Sequence, residues 1–126
     1  MTKNKTKDKT IDTKYFKASV KFVRVSPYKL RKVANEVRGM HASLALKKLA
    51  IMTQKSAGIM YKLIHSCVSN ATHNFEQNEA SLVIATVLVN EGKKIKRSKP
   101  RARGRMDAIT KPTAHVDISL INKGVA

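Results

Sequence analysis

The chain has 126 residues, of which 26 are Lys or Arg and 8 are Asp or Glu, so its formal net charge is +18. A charge this large exceeds what solubility requires and favours a polyanionic partner. The single cysteine excludes an internal disulfide framework, and no apolar run approaches the ~18 residues that a membrane span requires. We therefore expect one modest domain with an aliphatic core and no membrane partner.

The start of the chain is polar and rich in Lys and Thr, without the apolar stretch of a secretory signal. We expect residues 1–14 to be a flexible basic tail that orders on a partner. Residues 15–126 are then expected to form a single domain. Its first element is a half-buried strand, because residues 16–23 alternate between apolar and polar side chains. The inward side chains are expected to be Phe16, Ala18, Val20 and Phe22.

Three helices are predicted after this strand. Ser26-Pro27 opens the first, because Ser can cap free N–H groups and Pro at the first position loses no needed donor. Gly39 fits its C-terminal end. Thr53 is the expected cap of the third and longest helix, which runs to about Asn74. The apolar stripes are, in chain order, Leu30, Val33, Ala34 and Val37; Ala42, Ala45, Leu46, Leu49 and Ala50; and Ala57, Met60, Tyr61, Ile64, Cys67, Val68 and Ala71.

Two further strands follow the helices. Residues 82–90 are a nearly continuous apolar run rich in β-branched side chains, which predicts a central strand. Residues 114–120 alternate, which predicts a half-buried strand. Its inward side chains are expected to be Ala114, Val116, Ile118 and Leu120. The order βαααββ predicts an α+β fold with three helices packed on one face of a small three-stranded antiparallel sheet.

The last two strands bracket a segment that is too long for a structureless loop in a compact domain. We predict instead a long extended β-hairpin arm at about residues 90–113, reaching on the order of 30 Å at ~3.3 Å per residue. Pro100 and Gly104 mark its bend, since Pro fixes φ and Gly accepts positive φ. From Lys93 to Arg105, eight of thirteen residues are Lys or Arg and none is acidic.

This cationic run has almost nothing apolar to bury, so it needs an external polyanion, and folded nucleic acid best suits clustered guanidinium groups. Arg101, Arg103 and Arg105 are spaced by two, which places them on one side of an extended strand. Glu91 and Asp107 flank the run and are expected to pair with its cations. The alternatives are a solvated basic loop or a localisation signal and, for the first-helix cations, a plain solvated face. The candidate RNA-binding residues are Lys29, Arg31, Lys32, Arg38, Lys93, Lys94, Lys96, Arg97, Lys99, Arg101, Arg103, Arg105 and Lys111.

No catalytic or metal site is predicted. The acidic residues are scattered, and no Gly-rich phosphate loop, nucleophile elbow or paired-carboxylate motif occurs. His65 and Cys67 point to different faces of their helix, and His65 and His73 lie roughly 12 Å apart along its axis, too far to share a metal ion. Cys67 is expected to pack in the core. We therefore expect neither an enzyme nor a cofactor.

The chain carries six ordered motifs: Ser26-Pro27-Tyr28-Lys29-Leu30-Arg31-Lys32-Val33-Ala34, Val37-Arg38-Gly39, Ser69-Asn70-Ala71-Thr72-His73-Asn74, Val89-Asn90-Glu91-Gly92, Pro100-Arg101-Ala102-Arg103-Gly104-Arg105 and Lys111-Pro112-Thr113-Ala114-His115. In this order they resemble the bacterial-type large-subunit ribosomal protein twenty-two family, over about residues 14–120. The resemblance implies a structural constituent of the large ribosomal subunit that binds large-subunit ribosomal RNA and aids assembly.

The same resemblance implies that the hairpin tip lines the nascent-peptide exit tunnel. Neighbouring large-subunit proteins and the nascent polypeptide are then partners, and no homo-oligomer is expected. The implied tip comprises Lys99, Pro100, Arg101, Ala102, Arg103, Gly104 and Arg105. In many members of the family that this chain resembles, Pro and Met occupy the positions of Lys93 and Ile95. Lys99 makes the tip of this chain more cationic.

The compartment and two other classes of function are also considered. The Ser-Pro-Tyr-Lys spelling is similar to cyanobacterial and plastid versions, so we expect a ribosome in the plastid stroma or the bacterial cytoplasm. A free-standing nucleic-acid-binding module, such as a DNA-packaging or regulatory protein, is one alternative, although no helix-turn-helix or RNA-recognition aromatic motif supports it. An RNA-modifying enzyme is the other, and it lacks a catalytic constellation.

Overall fold

The computed structural model describes residues 15–123, so the predicted tail at residues 1–14 lies outside the described part. The elements are, in chain order, β1 (Tyr15–Val23), α1 (Pro27–Val37), α2 (Ala42–Ile51), α3 (Lys55–Phe75), β2 (Leu82–Glu91), β3 (Ile95–Pro100), β4 (Met106–Lys111) and β5 (Ala114–Asn122), with short 3-10 helices at Glu79–Ser81 and Ala102–Gly104. The α+β class is confirmed, and the five strands form two antiparallel sheets, namely the expected three-stranded sheet and a separate two-stranded sheet. Within residues 15–123, no helix is long and apolar enough to cross a lipid bilayer.

The sheet of the globular body has the strand order β1-β5-β2, and β5 is antiparallel to both neighbours. The prediction that residues 82–90 form a central strand is therefore wrong, because β2 lies at an edge. The segment that follows α1 covers the apolar start of this strand. Ile84 accepts a hydrogen bond from the Gly39 N–H at 3.0 Å and donates one to the Met40 carbonyl oxygen at 2.9 Å.

The helices pack against this sheet around an aliphatic core. The predicted stripe of α1 is completely buried, and so are the four predicted inward residues of β5. Two predicted positions in the apolar stripes of the other helices are wrong, since Ala50 is exposed and Tyr61 is 37% exposed. Helix α3 begins at Lys55 with Gln54 at its N-cap, so the predicted cap at Thr53 is wrong by one residue.

A bulge interrupts β1 near its end. The register with β5 shifts between Val20 and Val23, and Phe22 adopts a φ of 56°. The Phe22 side chain is 59% exposed, and Val23 takes the half-buried position. The prediction that Phe22 faces the core is therefore wrong, because strict alternation fails where a strand contains an extra residue.

The predicted arm is present as a separate two-stranded sheet formed by β3 and β4. Its ladder has six residue pairs, from Ile95 opposite Lys111 to Pro100 opposite Met106. At ~3.3 Å per residue this ladder is about 20 Å long, which is shorter than the length of the segment led us to expect. Short irregular segments at residues 92–94 and 112–113 separate the arm from the body, and every residue from 96 to 111 is exposed.

Cys67 lies on the apolar stripe of α3 and is fully buried, which confirms its predicted place in the core. Its Sγ–H group donates a hydrogen bond to the Phe16 carbonyl oxygen at 3.1 Å. Burial raises the pKa of the Cys67 thiol to about 11, because the thiolate would lose its hydration inside the protein.

We expect native Cys67 to react with iodoacetamide at pH 8 at least about 100-fold more slowly than the unfolded chain, because only the thiolate is nucleophilic. An unfolded thiol ionises near pH ~8.5. The contribution of the buried thiol to native stability is therefore full below that pH and is lost as the pH rises through the folded pKa of about 11. Mass spectrometry of the alkylated chain over time measures both rates, and equal rates in the native and unfolded states would contradict the expectation.

Candidate nucleic-acid interface

The cross-strand register divides the arm into two unequal faces. Residues directly opposite each other share a face, and the faces alternate along each strand. One face carries three cations, Arg97, Lys99 and Lys111, together with Asp107 and two isoleucines. The other carries Lys96 among small, polar or apolar side chains such as Ala108. Phosphate contacts are therefore expected mainly on the first face, and close approach of a partner on the second.

The tip of the arm is a compact turn. The Arg101 N–H donates to the Arg105 carbonyl oxygen at 2.7 Å, and Arg103 and Gly104 both have positive φ, 58° and 71°. The prediction that the three tip arginines share one side of an extended strand is wrong, because the chain reverses through them. The Arg101 Nε donates to the Asp107 Oδ2 at 2.6 Å, which confirms the predicted pairing of Asp107. The side chains of Arg103 and Arg105 have no ionic partner within residues 15–123.

Thr113 fastens the base of the arm. Its carbonyl oxygen accepts the Gly92 N–H at 2.8 Å, and its hydroxyl donates to the Lys93 carbonyl oxygen, also at 2.8 Å. Nearby, the Lys94 Nζ lies 3.9 Å from the Glu91 Oε2, as predicted for this acidic residue. These contacts hold the two chain segments side by side where the arm leaves the body.

An open cleft of about 900 Å³ lies between the base of the arm and the N-terminal ends of α1 and α3, and we call it the helix-side cleft. Ser26 and Gln54 occupy the N-caps of the two helices, and neither makes a side-chain capping hydrogen bond. The described lining includes no acidic residue, and its cations are Arg24, Lys29, Lys32, Lys55 and Lys111. Uncapped helix N-termini and converging cations suit the binding of phosphate groups.

A second cleft, of about 580 Å³, lies between β1 and the start of the arm, and we call it the strand-side cleft. Its described lining comprises Phe22, Arg24, Lys93, Lys94, Ile95, Lys96, Arg97 and Thr113. Arg24 and Ile95 also line the helix-side cleft, so the two clefts meet at the base of the arm. The strand-side cleft combines an aromatic ring with several cations, which is a common composition of nucleic-acid sites.

The conformation of Phe22 is unusual for an aromatic residue. A φ of 56° is left-handed, and such a conformation costs on the order of 1–3 kcal/mol in a residue with a side chain. The Phe22 N–H donates to the His115 Nδ1 at 3.0 Å, and the two rings meet edge to face with centroids 4.7 Å apart. His115 therefore stabilises the outward position of the Phe22 ring.

Two of the candidate cations contact the body of the protein. The Arg38 Nη2 donates to the Val87 carbonyl oxygen at 2.9 Å, and the Arg31 Nε and Nη2 donate to the Val89 carbonyl oxygen at 3.4 and 3.3 Å. Both carbonyl groups belong to β2, the edge strand of the body sheet. The binding of RNA by these two arginines stays a prediction.

The candidate cations therefore fall into four groups. Lys29, Lys32 and Lys111 line the helix-side cleft; Lys93, Lys94, Lys96 and Arg97 line the strand-side cleft; Lys99, Arg101, Arg103 and Arg105 lie at the tip; and Arg31 and Arg38 contact β2. Sequence reasoning missed Arg24, Lys55 and the outward Phe22. The position of Arg24 just before the Ser26-Pro27 helix start is the one signal that could have identified it.

The described residues contain no candidate metal-binding site. Across residues 15–123, no group of three or more His, Cys, Asp or Glu side chains is placed to hold a metal ion.

Comparison with known proteins identifies the family. Residues 18–121 match the family model described as ribosomal protein L22p/L17e. The chain is similar to three proteins named large ribosomal subunit protein uL22. The one from Fusobacterium nucleatum subsp. nucleatum is 46% identical over 104 residues, which cover 82% of this chain and 94% of the relative. The one from Chloroflexus aggregans is 41% identical over 107 residues, which cover 85% of this chain and 95% of the relative. The one from Petrotoga mobilis is 40% identical over 107 residues, which cover 85% of this chain and 72% of the relative. Because the matched region includes both the body and the arm, the chain belongs to the ribosomal protein L22p/L17e family.

Proposed function

We propose that the arm and the two clefts at its base bind large-subunit ribosomal RNA and aid assembly of the subunit. As a member of its family, the protein is a structural component of the large ribosomal subunit and not an enzyme. The observation that carries the RNA-binding proposal is that every residue from 96 to 111 is exposed in an arm of paired strands. An arm without a core of its own needs a partner to hold its position, and its charge selects a polyanion.

The contacts divide between the arm and its base. The charged face of the arm follows an RNA backbone, with Arg97 able to bind a phosphate in bidentate fashion and Lys99 and Lys111 acting as point charges. The helix-side cleft receives a phosphate group near the uncapped ends of α1 and α3. Arg24 and Lys55 join the predicted ligands there, because both line the same cleft.

The tip, at residues 99–105, extends into the nascent-peptide exit tunnel in this proposal. Its compact turn and the absence of an ionic partner for Arg103 and Arg105 within residues 15–123 support an end that contacts RNA and passing polypeptide. Neighbouring large-subunit proteins are further partners of the body. Neither a second copy of the chain nor a membrane is part of the proposal.

The remaining parts of the proposal concern domain organisation and compartment. Residues 15–126 act as one RNA-binding domain, and the basic residues 1–14 add contacts to the same partner. The protein is a ribosomal component, and the three relatives are from bacteria, which favours the bacterial cytoplasm over the plastid stroma.

Sedimentation of the epitope-tagged protein from cell extract tests the function directly. We expect the protein to co-migrate with the large subunit and to stay bound through a wash at moderate salt. Salt weakens each phosphate contact at equilibrium, but a chain enclosed by folded RNA must break many contacts at once to leave the subunit. An untagged extract mixed with free tagged protein controls for adsorption to ribosomes. A stable homodimer that prefers duplex DNA and is absent from the large-subunit fraction would contradict the proposal.

A further inference from the structure

The strand-side cleft contains a feature that phosphate binding alone does not require. Phe22 presents an aromatic ring, 59% exposed, at the edge of a cluster of cations. An aromatic side chain with a φ of 56° is disfavoured, yet the bulge in β1 and the hydrogen bond to His115 hold it in this position. The structure therefore maintains an outward ring against the ordinary preference of both backbone and side chain.

The surroundings of the ring indicate the chemistry of its ligand. The described lining of the cleft contains five cations, Arg24, Lys93, Lys94, Lys96 and Arg97, and no acidic residue. Its volume of about 580 Å³ is within the usual range for a site that holds a small molecule or a single nucleotide. An aromatic face binds a flat base, and cations a few ångströms away bind the phosphates on either side of it.

We propose that Phe22 stacks on an unpaired base of large-subunit ribosomal RNA, while Arg24 and the cations at the start of the arm bind the adjoining phosphates. This inference rests on the proposed function, since it assigns one nucleotide contact within that interface. The base must be unpaired because a base inside an A-form helix is stacked on its neighbours and its face is not accessible. His115 acts as a positioning residue that holds the ring outward.

The first test compares the affinity of Phe22 variants for the protein's own large-subunit ribosomal RNA at about 0.15 M salt. We expect Phe22→Ala to bind roughly 5- to 150-fold more weakly, the range expected for the loss of one base stack. The slope of log affinity against log salt should not change, because stacking releases no counterions. Phe22→Tyr keeps the ring and should bind within about twofold of the wild-type protein.

Phe22→Gly separates the effect of the ring from that of folding. Glycine tolerates a positive φ, so this variant should melt at a higher temperature than Phe22→Ala while losing the same affinity. If Phe22→Ala does not fold, Phe22→Gly and Phe22→Tyr still decide the question.

A fluorescence experiment reports the stack itself. The chain has no Trp, so Phe22→Trp introduces the only indole. We expect its emission to be quenched by the ribosomal RNA and not by a fully paired RNA duplex of the same concentration. Leu44→Trp is the matched control, because Leu44 is 52% exposed on α2 and lines neither cleft.

The outcomes distinguish this inference from the proposed function. The proposed function would be overturned if the RNA affinity of the wild-type protein did not fall steeply with salt. If the RNA affinity of the wild-type protein falls steeply with salt, but Phe22→Ala and Phe22→Gly bind the RNA as tightly as the wild type, only the stacking site would be overturned. If a Phe22 variant binds RNA normally but is lost from assembled subunits, the ring contacts a protein and not a base. Equal quenching of the Phe22→Trp emission by paired and unpaired RNA would also overturn the stack.

Discussion

Replacing Arg97, Lys99 and Arg103 by Gln is expected to weaken binding to large-subunit ribosomal RNA on the order of 100-fold at 0.15 M salt. Each phosphate contact contributes about 0.7 to 0.9 to the slope of log affinity against log salt. The triple variant should therefore flatten this slope by about 2 to 3. All three side chains are exposed on the arm, so the fold of the body should not change.

A second triple variant of the same charge provides the control. Lys47, Lys62 and Lys123 are exposed, belong to the body and line neither of the two clefts. Their replacement by Gln lowers the net charge equally, so it isolates the effect of position from that of total charge. Filter binding from about 0.05 to 0.5 M salt measures both slopes. Equal losses in the two variants would mean that the arm has no special role in binding.

Gly92→Ala is expected to lower the melting temperature by roughly 5–15 °C, which corresponds to about 1–3 kcal/mol for overpacking in a chain of this size. A Cβ at this position would collide with the Thr113 Oγ1 and lie 3.2 Å from the Thr113 carbonyl carbon and 3.3 Å from the His115 Cε1. The Thr113 hydroxyl cannot move freely, because it donates to the Lys93 carbonyl oxygen. The two segments at the base of the arm must therefore separate.

Two further variants test this explanation by differential scanning calorimetry. Gly58→Ala is the matched control, since Gly58 is an exposed position of helix α3 where an added Cβ meets no atom within 4 Å, and it should stabilise the protein by about 1 kcal/mol. Adding Thr113→Ala to Gly92→Ala removes the hydroxyl and should recover part of the lost stability. A Gly92→Ala protein that melts with the wild type would show that the base of the arm adjusts without cost.

Sequence patterns correctly predicted the elements whose structure follows from a single physical cause, such as the burial of one face. The stripe of α1 and the alternation of β5 were predictable, because burial on one face imposes the helical or strand period directly. The arm was predictable because a run of cations between two strands cannot pack on its own domain. In each case the pattern and its cause lie within a single segment of chain.

The errors arise where the deciding contact joins distant segments. The edge position of β2 depends on coverage of Ile84 by the chain after α1, and an apolar run alone does not distinguish a central strand from a covered edge strand. The outward turn of Phe22 depends on His115, which is 93 residues away in sequence. Spacing by two places Arg101 and Arg103 on one side only if they lie in a strand, and the reversal at Gly104 removes that condition.

The contacts of Arg31 and Arg38 with β2 have a consequence for the protein before it meets its partner. An uncovered edge strand offers a template on which the strand of another molecule can add, and this is a common start of aggregation. Here two guanidinium groups occupy the carbonyl oxygens of Val87 and Val89 along that edge. These two contacts leave fewer free carbonyl oxygens along this stretch of β2, which hinders the addition of a strand from another molecule there.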